Sequence, residues 1–215
     1  LLTGRWPAHH GIRNMFPDAS ERDAVGETLP AVLAARGLQT AVVSDFSGEI
    51  FSRLGAGFVD RDVPPFDMRV VLAQAGFNLH PMIAPYVASR VGHRLFPALA
   101  AAPENADPDR LADQVIDAVD RLSRRGPFFV TAFFSTPHFP YAAPDPYYRR
   151  FTDRGYRGRF RYHKPVAALG NQDGELSDED RAQIRGLYDG AVASVDGAIG
   201  RVLEALAERG LERDT

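Results

Sequence analysis

The sequence predicts an α/β protein in which helices flank a partial, open and mostly parallel β-sheet. Helix-forming stretches alternate along the chain with short apolar runs, a pattern typical of βαβ units. The run at residues 127–136 is apolar on both faces, as a strand covered by helices on both sides would be. With 215 residues, 45% of them hydrophobic, the chain can bury the core of one domain or a large part of one.

The first helix and strand are predicted between residues 27 and 46. Residues 27–36 carry apolar side chains at helical spacing, Pro30 lies in the first turn, and Gly37 follows the last turn. These features predict a helix with a defined start and stop. Residues 40–46 form a short run rich in β-branched side chains, which predicts a buried strand.

The second helix is predicted to begin at Asp107-Pro108-Asp109, which places acidic residues where the helix dipole favours them. It is predicted to close at Gly126, before a central strand at residues 127–136. Its apolar stripe comprises Leu111, Val115, Ile116, Val119 and Leu122.

A third, longer helix is predicted to begin after Ser177 and to end at Gly210. Ser177 is a typical N-cap, and three acidic residues follow it in the first turn. Residues 211–215 are interpreted as the lead-in to another strand. The stripe predicted to face the core comprises Ile184, Leu187, Tyr188, Val192, Val195, Ile199, Val202, Leu203 and Leu206.

Composition excludes several classes of function. The net charge is −3, from 25 basic and 28 acidic residues, so no global field favours nucleic acid or an anionic membrane. The chain has no cysteine, which excludes disulfides and thiolate metal sites in this span. No apolar run approaches the roughly 18 residues that a membrane span needs. We therefore expect no nucleic-acid partner and no transmembrane segment within these residues.

His138 is the candidate catalytic residue. Ligands of open α/β sheets bind at the carboxyl ends of the strands, and His138 follows the second predicted strand, between Pro137 and Pro140. An imidazole held there can donate to a substrate oxyanion or protonate a leaving group. The alternative is a histidine that only bonds a loop carbonyl, and position alone leaves both open.

Three other residues are candidate substrate-binding groups, each with a simpler structural alternative. Arg5 can bind an anion or brace a helix end. His10, beside His9, can be a ligand or can bond the backbone of a tight turn, and the turn is favoured because adjacent side chains point apart. Asp45 ends the first predicted strand, where it can meet a metal or cap the next turn.

Residues 137–176 are predicted to form an active-site loop insertion. Within it, residues 147–164 interleave seven basic side chains with six aromatic ones, and Lys164 is a further candidate substrate-binding residue. Such a pattern can recognise a sulfated or phosphorylated substrate, bind single-stranded nucleic acid, or form a solvated lid. The acidic overall balance makes nucleic acid the weakest of the three.

Four motifs in register resemble the sulfatase family of the alkaline phosphatase superfamily. They are Leu1-Leu2-Thr3-Gly4-Arg5-Trp6-Pro7 with His10-Gly11, then Thr28-Leu29-Pro30 to Thr40-Ala41, then Pro127 to Tyr141, and finally Tyr188 to Thr215. The resemblance implies a hydrolase of sulfate esters. It places a formylglycine nucleophile upstream of Leu1 and matches His138 to the position that binds the sulfate or protonates the leaving oxygen.

The resemblance also implies a divalent cation, by expectation Ca²⁺, whose carboxylate ligands would fall before residue 1 and after residue 215. Residues 1–215 are then part of one catalytic domain truncated at both ends, with no metal ligand in this span, and the isolated chain is expected to be inactive. The implied substrate is a small-molecule, glycan or lipid ester with an anionic group. The implied location is periplasmic, extracellular or membrane-anchored, and the oligomeric state stays open.

One departure from the family keeps other functions open. Typical sulfatases have Gly-Lys-Trp-His after the first strand, whereas this chain has Ser44-Asp45-Phe46-Ser47, so the Lys and His that contact the sulfate are missing there. A phosphodiester or phosphonate hydrolase, or a phospho-group transferase of the same superfamily, is the first alternative. The second is a catalytically inactive protein that binds anionic glycans or lipid head groups through residues 147–164.

Overall fold

The computed structural model describes residues 2–14, 17–23, 25–65, 90–95, 106–138, 140–163 and 175–215. The described helices are α1 Pro7–His10, α2 Ala19–Asp23, α3 Leu29–Ala35, α4 Glu49–Arg53, α5 Arg90–Leu95, α6 Pro108–Ser123 and α7 Asp178–Glu208. The described strands are β1 Gln39–Ser44, β2 Asp60–Asp62 and β3 Phe128–Phe133. The chain forms two compact units: residues 1–66 with 113–133, and residues 67–112 with 134–215.

The first unit contains an open parallel sheet, as predicted. Its strand order is β2-β1-β3, and both pairings are parallel. In the described sheet β1 is the central strand, not β3 as predicted from residues 127–136. Val42 and Val43 of β1 are fully buried, whereas the last two residues of β3 are exposed. A continuous apolar run predicts a strand, but it does not tell which strand lies in the middle or how fully that strand is covered.

A buried threonine joins the start of α3 to the loop between α4 and β2. Thr28 is the N-cap of α3: its Oγ1 accepts a hydrogen bond from the Ala31 backbone N–H at 3.4 Å and donates one to the Ala56 carbonyl at 2.6 Å. Pro30 lies in the first turn, and Gly37, which follows the C-cap Arg36, has a φ of 91°. The predicted helix and strand are therefore confirmed, with boundaries shifted by one or two residues.

Helix α6 begins where the acidic start signal predicts. The Asp107 Oδ1 accepts a hydrogen bond from the Asp109 N–H at 3.0 Å, which caps the first turn. In the first unit, Arg121 Nη2 lies 2.7 Å from Asp60 Oδ2 and so ties α6 to β2. Four of the five predicted stripe residues are buried, and the fifth is half-buried; the four are Leu111, Val115, Val119 and Leu122.

Helix α7 dominates the second unit and begins with the predicted cap. The Ser177 side chain accepts from the Asp180 N–H, and the Asp180 side chain accepts from the Ser177 N–H, which is a reciprocal capping box. Residues 211–215, interpreted as the lead-in to a strand, contain the 3₁₀ turn Glu212–Asp214, and the strand itself stays a prediction.

The predicted apolar stripe of α7 is only partly correct. Leu187 is fully buried, but four stripe residues are more than 40% exposed: Tyr188, Val192, Ile199 and Leu203. The buried side of α7 is formed largely by small residues, including Gly186, Gly190, Ala191, Ser194 and Ala198. Small side chains let a neighbouring backbone approach closely. The face of α7 that is buried is therefore the one that permits this approach, and not the one with the largest apolar side chains.

The neighbour that approaches α7 is residues 141–163, the tyrosine–arginine segment. Tyr148, Tyr156 and Phe160 of this segment are buried in one cluster with Leu187 and Ala191 of α7. The segment therefore has a packed core of its own. The remainder of the predicted 137–176 insertion includes residues 164–174, which lie outside the described part of the chain.

Among the described helices, none combines the length and apolar character that crossing a membrane requires.

Candidate functional site

The carboxyl ends of β1 and β3 lie side by side, as the parallel register requires. Ser44 pairs with Phe133, and the buried Ser44 hydroxyl donates a hydrogen bond to the Phe133 carbonyl at 2.8 Å. Gly48 packs onto Ser44 so closely that a Cβ at position 48 would lie 2.2 Å from Ser44 Oγ. A larger residue at position 48 would therefore have to displace Ser44 from the end of β1.

Asp45, the candidate residue after β1, caps the next turn. Its Oδ1 accepts hydrogen bonds from the Ser47 N–H at 3.1 Å and from the Ser47 hydroxyl at 2.7 Å. Asp45 is thereby the N-cap of the 3₁₀ turn Phe46–Gly48. The structure thus shows the capping role of the two that the sequence leaves open, and a contact to substrate stays a prediction.

His138, the candidate catalytic residue, lies in a tight turn five residues after β3, in the second unit. The backbone N–H of His138 donates to the Ser135 carbonyl at 2.7 Å, which closes the turn, and the Thr136–Pro137 peptide is cis. His138 is exposed, so its imidazole is accessible to a ligand from solvent. The turn fixes the backbone of His138. A catalytic side chain needs such a fixed backbone in order to meet its substrate in one geometry.

Tyr141 closes the loop that carries His138. Its backbone N–H donates to the His138 carbonyl at 3.3 Å, and its φ is 57°, a left-handed conformation that is uncommon outside glycine. The Tyr141 ring contacts Tyr188 of α7 edge-on, with centroids 5.5 Å apart. Packing on α7 therefore holds a backbone conformation that by itself is unfavourable.

Arg5 and His10 lie at the start of the first unit, where α1 forms a single turn. His10 Nδ1 accepts a hydrogen bond from the Ile12 N–H at 3.2 Å, so this nitrogen is occupied by the backbone. Gly11 follows as the left-handed cap of α1. His10 therefore has the turn-bonding role that the sequence favours, and substrate binding by it stays a prediction.

Arg5 is exposed, and its Nη1 lies 3.7 Å from the place where a Cβ on Gly26 would be. The guanidinium of Arg5 has no carboxylate partner among the described residues. An exposed guanidinium without a counter-ion can take an anion. Lys164, the remaining candidate, lies outside the described residues.

A metal site cannot be built from the residues that the structure describes. No group of three or more His, Asp or Glu side chains comes close enough together to hold an ion in that part of the chain. Asp45, the one candidate with a carboxylate at a strand end, is engaged in its capping bonds.

Neighbouring arginines and aromatic residues form pairs within the tyrosine–arginine segment. Four arginines each lie over the ring of the adjacent aromatic residue, at 4.5 to 5.6 Å from the centroid: Arg149, Arg150, Arg159 and Arg161. Such cation–π contacts hold the guanidiniums near the surface of the packed segment. The interleaved sequence predicts a basic surface. Which of these side chains lie next to one another depends on the turns of the segment.

Two buried tyrosines of this segment form hydrogen bonds with charged side chains. Burial and a hydrogen bond to the Asp180 carboxylate, 2.6 Å away, raise the pKa of Tyr156 to about 12. That hydrogen bond in turn lowers the pKa of Asp180. Burial also raises the pKa of Tyr148, whose hydroxyl accepts a hydrogen bond from Arg149 Nε. Both phenols are therefore neutral hydroxyls at neutral pH.

Comparison with known proteins extends over the whole chain. A crystal structure of phosphonate monoester hydrolase from Agrobacterium radiobacter superposes with a TM-score of 0.64 at 19% sequence identity, covering 100% of this chain and 50% of that one. The chain thus spans about half the length of this structural relative, and the likeness shows the fold. No curated protein sequence matches the chain. The sulfatase family model matches residues 1–215, and the chain therefore belongs to the sulfatase family.

Proposed function

We propose that the protein hydrolyses sulfate esters and that His138 is its leaving-group acid or oxyanion donor. The single observation that carries the proposal is the family match over residues 1–215. The placement of His138 supports it, because an exposed histidine in a closed turn beyond β3 has the access and the fixed backbone that proton transfer needs.

The reaction breaks the bond between sulfur and the ester oxygen, adds the elements of water, and releases an alcohol and sulfate. In this reaction His138 delivers a proton to the departing alcohol oxygen, or donates a hydrogen bond to a sulfate oxygen. Arg5, in the first unit, is proposed separately as a substrate-binding group, since its exposed guanidinium has no carboxylate partner among the described residues. Lys164 is proposed for the same role.

The family implies a divalent cation, and Ca²⁺ stays our proposal for it. The described residues supply no cluster of three ligands for such an ion. The bound ion would polarise the sulfate group. The roles proposed for His138 and Arg5 involve their own side chains and do not include holding this ion. A periplasmic, extracellular or membrane-anchored location is proposed on family grounds alone.

A second candidate is hydrolysis of phosphonate or phosphate esters. The observation that favours it is the fold relative, which is a phosphonate monoester hydrolase. The segment Ser44-Asp45-Phe46-Ser47 also supports it, because it lacks the lysine and histidine that sulfatases carry after the first strand.

The test uses the full-length protein with aryl sulfates, an aryl phosphodiester and an aryl phosphonate. We expect kcat/KM to be highest for the sulfate, and His138→Ala to lower kcat by about 10²- to 10⁴-fold. If His138 is the acid, the loss is larger for phenyl sulfate than for 4-nitrophenyl sulfate, because phenolate needs protonation more. An equal loss on both assigns oxyanion binding instead.

His9→Ala is the matched control, since His9 is exposed on α1 and has no proposed role in the reaction. We expect it to keep near wild-type kcat. A preference for the phosphonate would replace the sulfate proposal by the second candidate. Full activity of His138→Ala on every ester would remove His138 from the mechanism.

A further inference from the structure

The tyrosine–arginine segment lines a cavity of about 240 Å³ that is open to solvent. Its lining residues are Tyr148, Arg149, Thr152, Asp153, Arg154 and Arg161. None of these is among the residues proposed for ester hydrolysis. Because one water occupies about 30 Å³ of liquid, the cavity has room for a small tetrahedral anion together with ordered water.

The backbone around the cavity is fixed by hydrogen bonds. The Thr152 hydroxyl donates to the Tyr148 carbonyl at 2.8 Å. The Gln183 side-chain amide of α7 donates to the Arg161 carbonyl at 3.4 Å, and Arg157 Nη1 donates to the Arg154 carbonyl at 3.1 Å. The backbone carbonyls of three lining residues and the hydroxyl of a fourth are thereby engaged before any ligand arrives, which lowers the ordering cost of binding.

The charge of the lining is positive, with three guanidiniums against one carboxylate. The carboxylate of Asp153 accepts a hydrogen bond from the Gly155 N–H at 2.7 Å and is engaged in that turn. Arg149 lies 3.6 Å from Asp145 Oδ1. In contrast, neither Arg154 nor Arg161 has a carboxylate partner among the described residues. Two cations therefore line the cavity without a counter-ion among the described residues.

The hydroxyl of Tyr148 adds a neutral donor to these cations. It is buried and accepts a hydrogen bond from Arg149, so its own hydrogen can be donated to a ligand oxygen. Guanidinium forks match the oxygens of phosphate and sulfate in pairs. The cavity thus offers forked cations and a hydroxyl, which is the donor set of an oxyanion site.

We propose that this cavity binds a tetrahedral oxyanion, sulfate or phosphate, through Arg154, Arg161 and the Tyr148 hydroxyl. The proposal goes beyond ester hydrolysis, because it assigns an anion site to residues with no part in that reaction. The anion has two possible sources: a free inorganic ion, or a second anionic group carried by an ester substrate.

Isothermal titration calorimetry with inorganic phosphate and inorganic sulfate tests the site, with ionic strength held constant by NaCl near neutral pH. We expect saturable binding to the wild-type chain. Arg154→Gln and Arg161→Gln should each weaken binding by about tenfold or more, since each removes a charge-assisted pair. Arg161→Lys should keep part of the affinity, because it keeps the charge but loses the fork.

Arg125→Gln is the matched control, since it removes the same charge from an exposed arginine that does not line the cavity. An equal loss in Arg125→Gln would show a nonspecific charge effect and overturn the proposal. Absence of saturable binding to the wild type would overturn it too, as would binding of a single-stranded oligonucleotide without any binding of the inorganic ions.

A parallel titration with glycerol phosphate identifies the source of the anion. Equal or tighter binding of this monoester, with the same dependence on Arg154, indicates a group carried by a substrate; binding of the inorganic ion alone indicates a free anion. Both results support the site. Binding that persists in His138→Ala separates this site from the ester reaction, so failure of either proposal leaves the other to be judged on its own.

Discussion

At the scale of single residues, the positions with defined local chemistry were the most predictable. Ser177 followed by acidic residues predicts a helix start because a short side-chain acceptor and an acidic N3 residue satisfy orphan backbone N–H groups, and both bonds form. Asp45 caps a turn for the same reason. Such bonds reach two or three residues along the chain, so the sequence already contains both partners.

Tyr156 shows a pair that the sequence could not reveal. Its hydroxyl donates to the Asp180 carboxylate, 24 residues away in the chain. The residue scale therefore divides into local bonds, which follow from sequence neighbours, and long-range bonds, which require the fold.

The Tyr156–Asp180 pair predicts a pH dependence of stability. The pKa of Tyr156 is raised from 10.0 to about 12, so its contribution is complete below pH 10 and is lost as the pH rises to about 12. The pKa of Asp180 is lowered from 3.8, so its contribution is present above that value and is lost as the pH falls further. The free energies of unfolding of wild type and Tyr156→Phe, measured with urea, should differ most at pH values above the pKa of Asp180 and below pH 10.

Tyr162→Phe is the control for this experiment, because the Tyr162 hydroxyl donates to no carboxylate among the described residues. We expect this variant to keep the loss of stability at acid pH that is assigned to Asp180, because the Tyr156–Asp180 hydrogen bond is intact in it. A constant difference between wild type and Tyr156→Phe at alkaline pH would contradict the role assigned to the Tyr156 hydroxyl.

At the scale of elements, helix α7 separates what periodicity predicts from what it cannot. Its start and end follow from local signals, and its length of 31 residues follows from them. Its buried face does not. Large apolar residues were expected inside, yet Tyr188 and Leu203 are exposed while Gly186 and Gly190 are buried.

The glycines of α7 provide a direct test of that packing. A Cβ at Gly190 would lie 2.6 Å from the Tyr147 carbonyl oxygen, whereas nothing lies within 4 Å of one at Gly200. Because a backbone atom blocks the first position, Gly190→Ala should destabilise the fold by about 1–3 kcal/mol. Gly200→Ala should stabilise it by up to about 1 kcal/mol, through helix propensity alone. Chemical denaturation measures both, and equal effects would contradict the close approach.

The apolar residues of α7 provide a second test. Leu187 is fully buried and Leu203 is 59% exposed. Leu187→Ala should therefore cost about 2–5 kcal/mol of unfolding free energy, and Leu203→Ala should change it by no more than about 0.5 kcal/mol. Thermal or urea unfolding distinguishes the two. A large loss of unfolding free energy in Leu203→Ala would instead support the uniformly buried stripe that periodicity predicts.

At the scale of the whole molecule, two compact units divide the described chain. The prediction of one truncated catalytic domain over residues 1–215 stays a prediction. In the first unit, the strand in the middle of the sheet is β1, which pairs on both sides.

Hydrogen exchange of this unit should follow that order. The backbone amides of Val42 and Val43 are in a buried, doubly paired strand, so we expect them to exchange most slowly in the sheet. Amides of the three-residue strand β2 should exchange faster, because short edge pairing opens at lower free energy. Slower exchange in β2 than in β1, followed by NMR, would contradict the strand order.

The sequence by itself determined the element types, the parallel α/β class and the family of this protein, because caps, turn residues and motif spacing act over a few neighbouring residues. It also placed His138 beyond the end of a strand. Only the tertiary structure decided which strand is central, which face of α7 is buried, and which arginines share a cavity. Those outcomes depend on contacts between residues distant in the chain, such as Gly190 with Tyr147 or Gln183 with Arg161, and a pattern of neighbours carries no record of them.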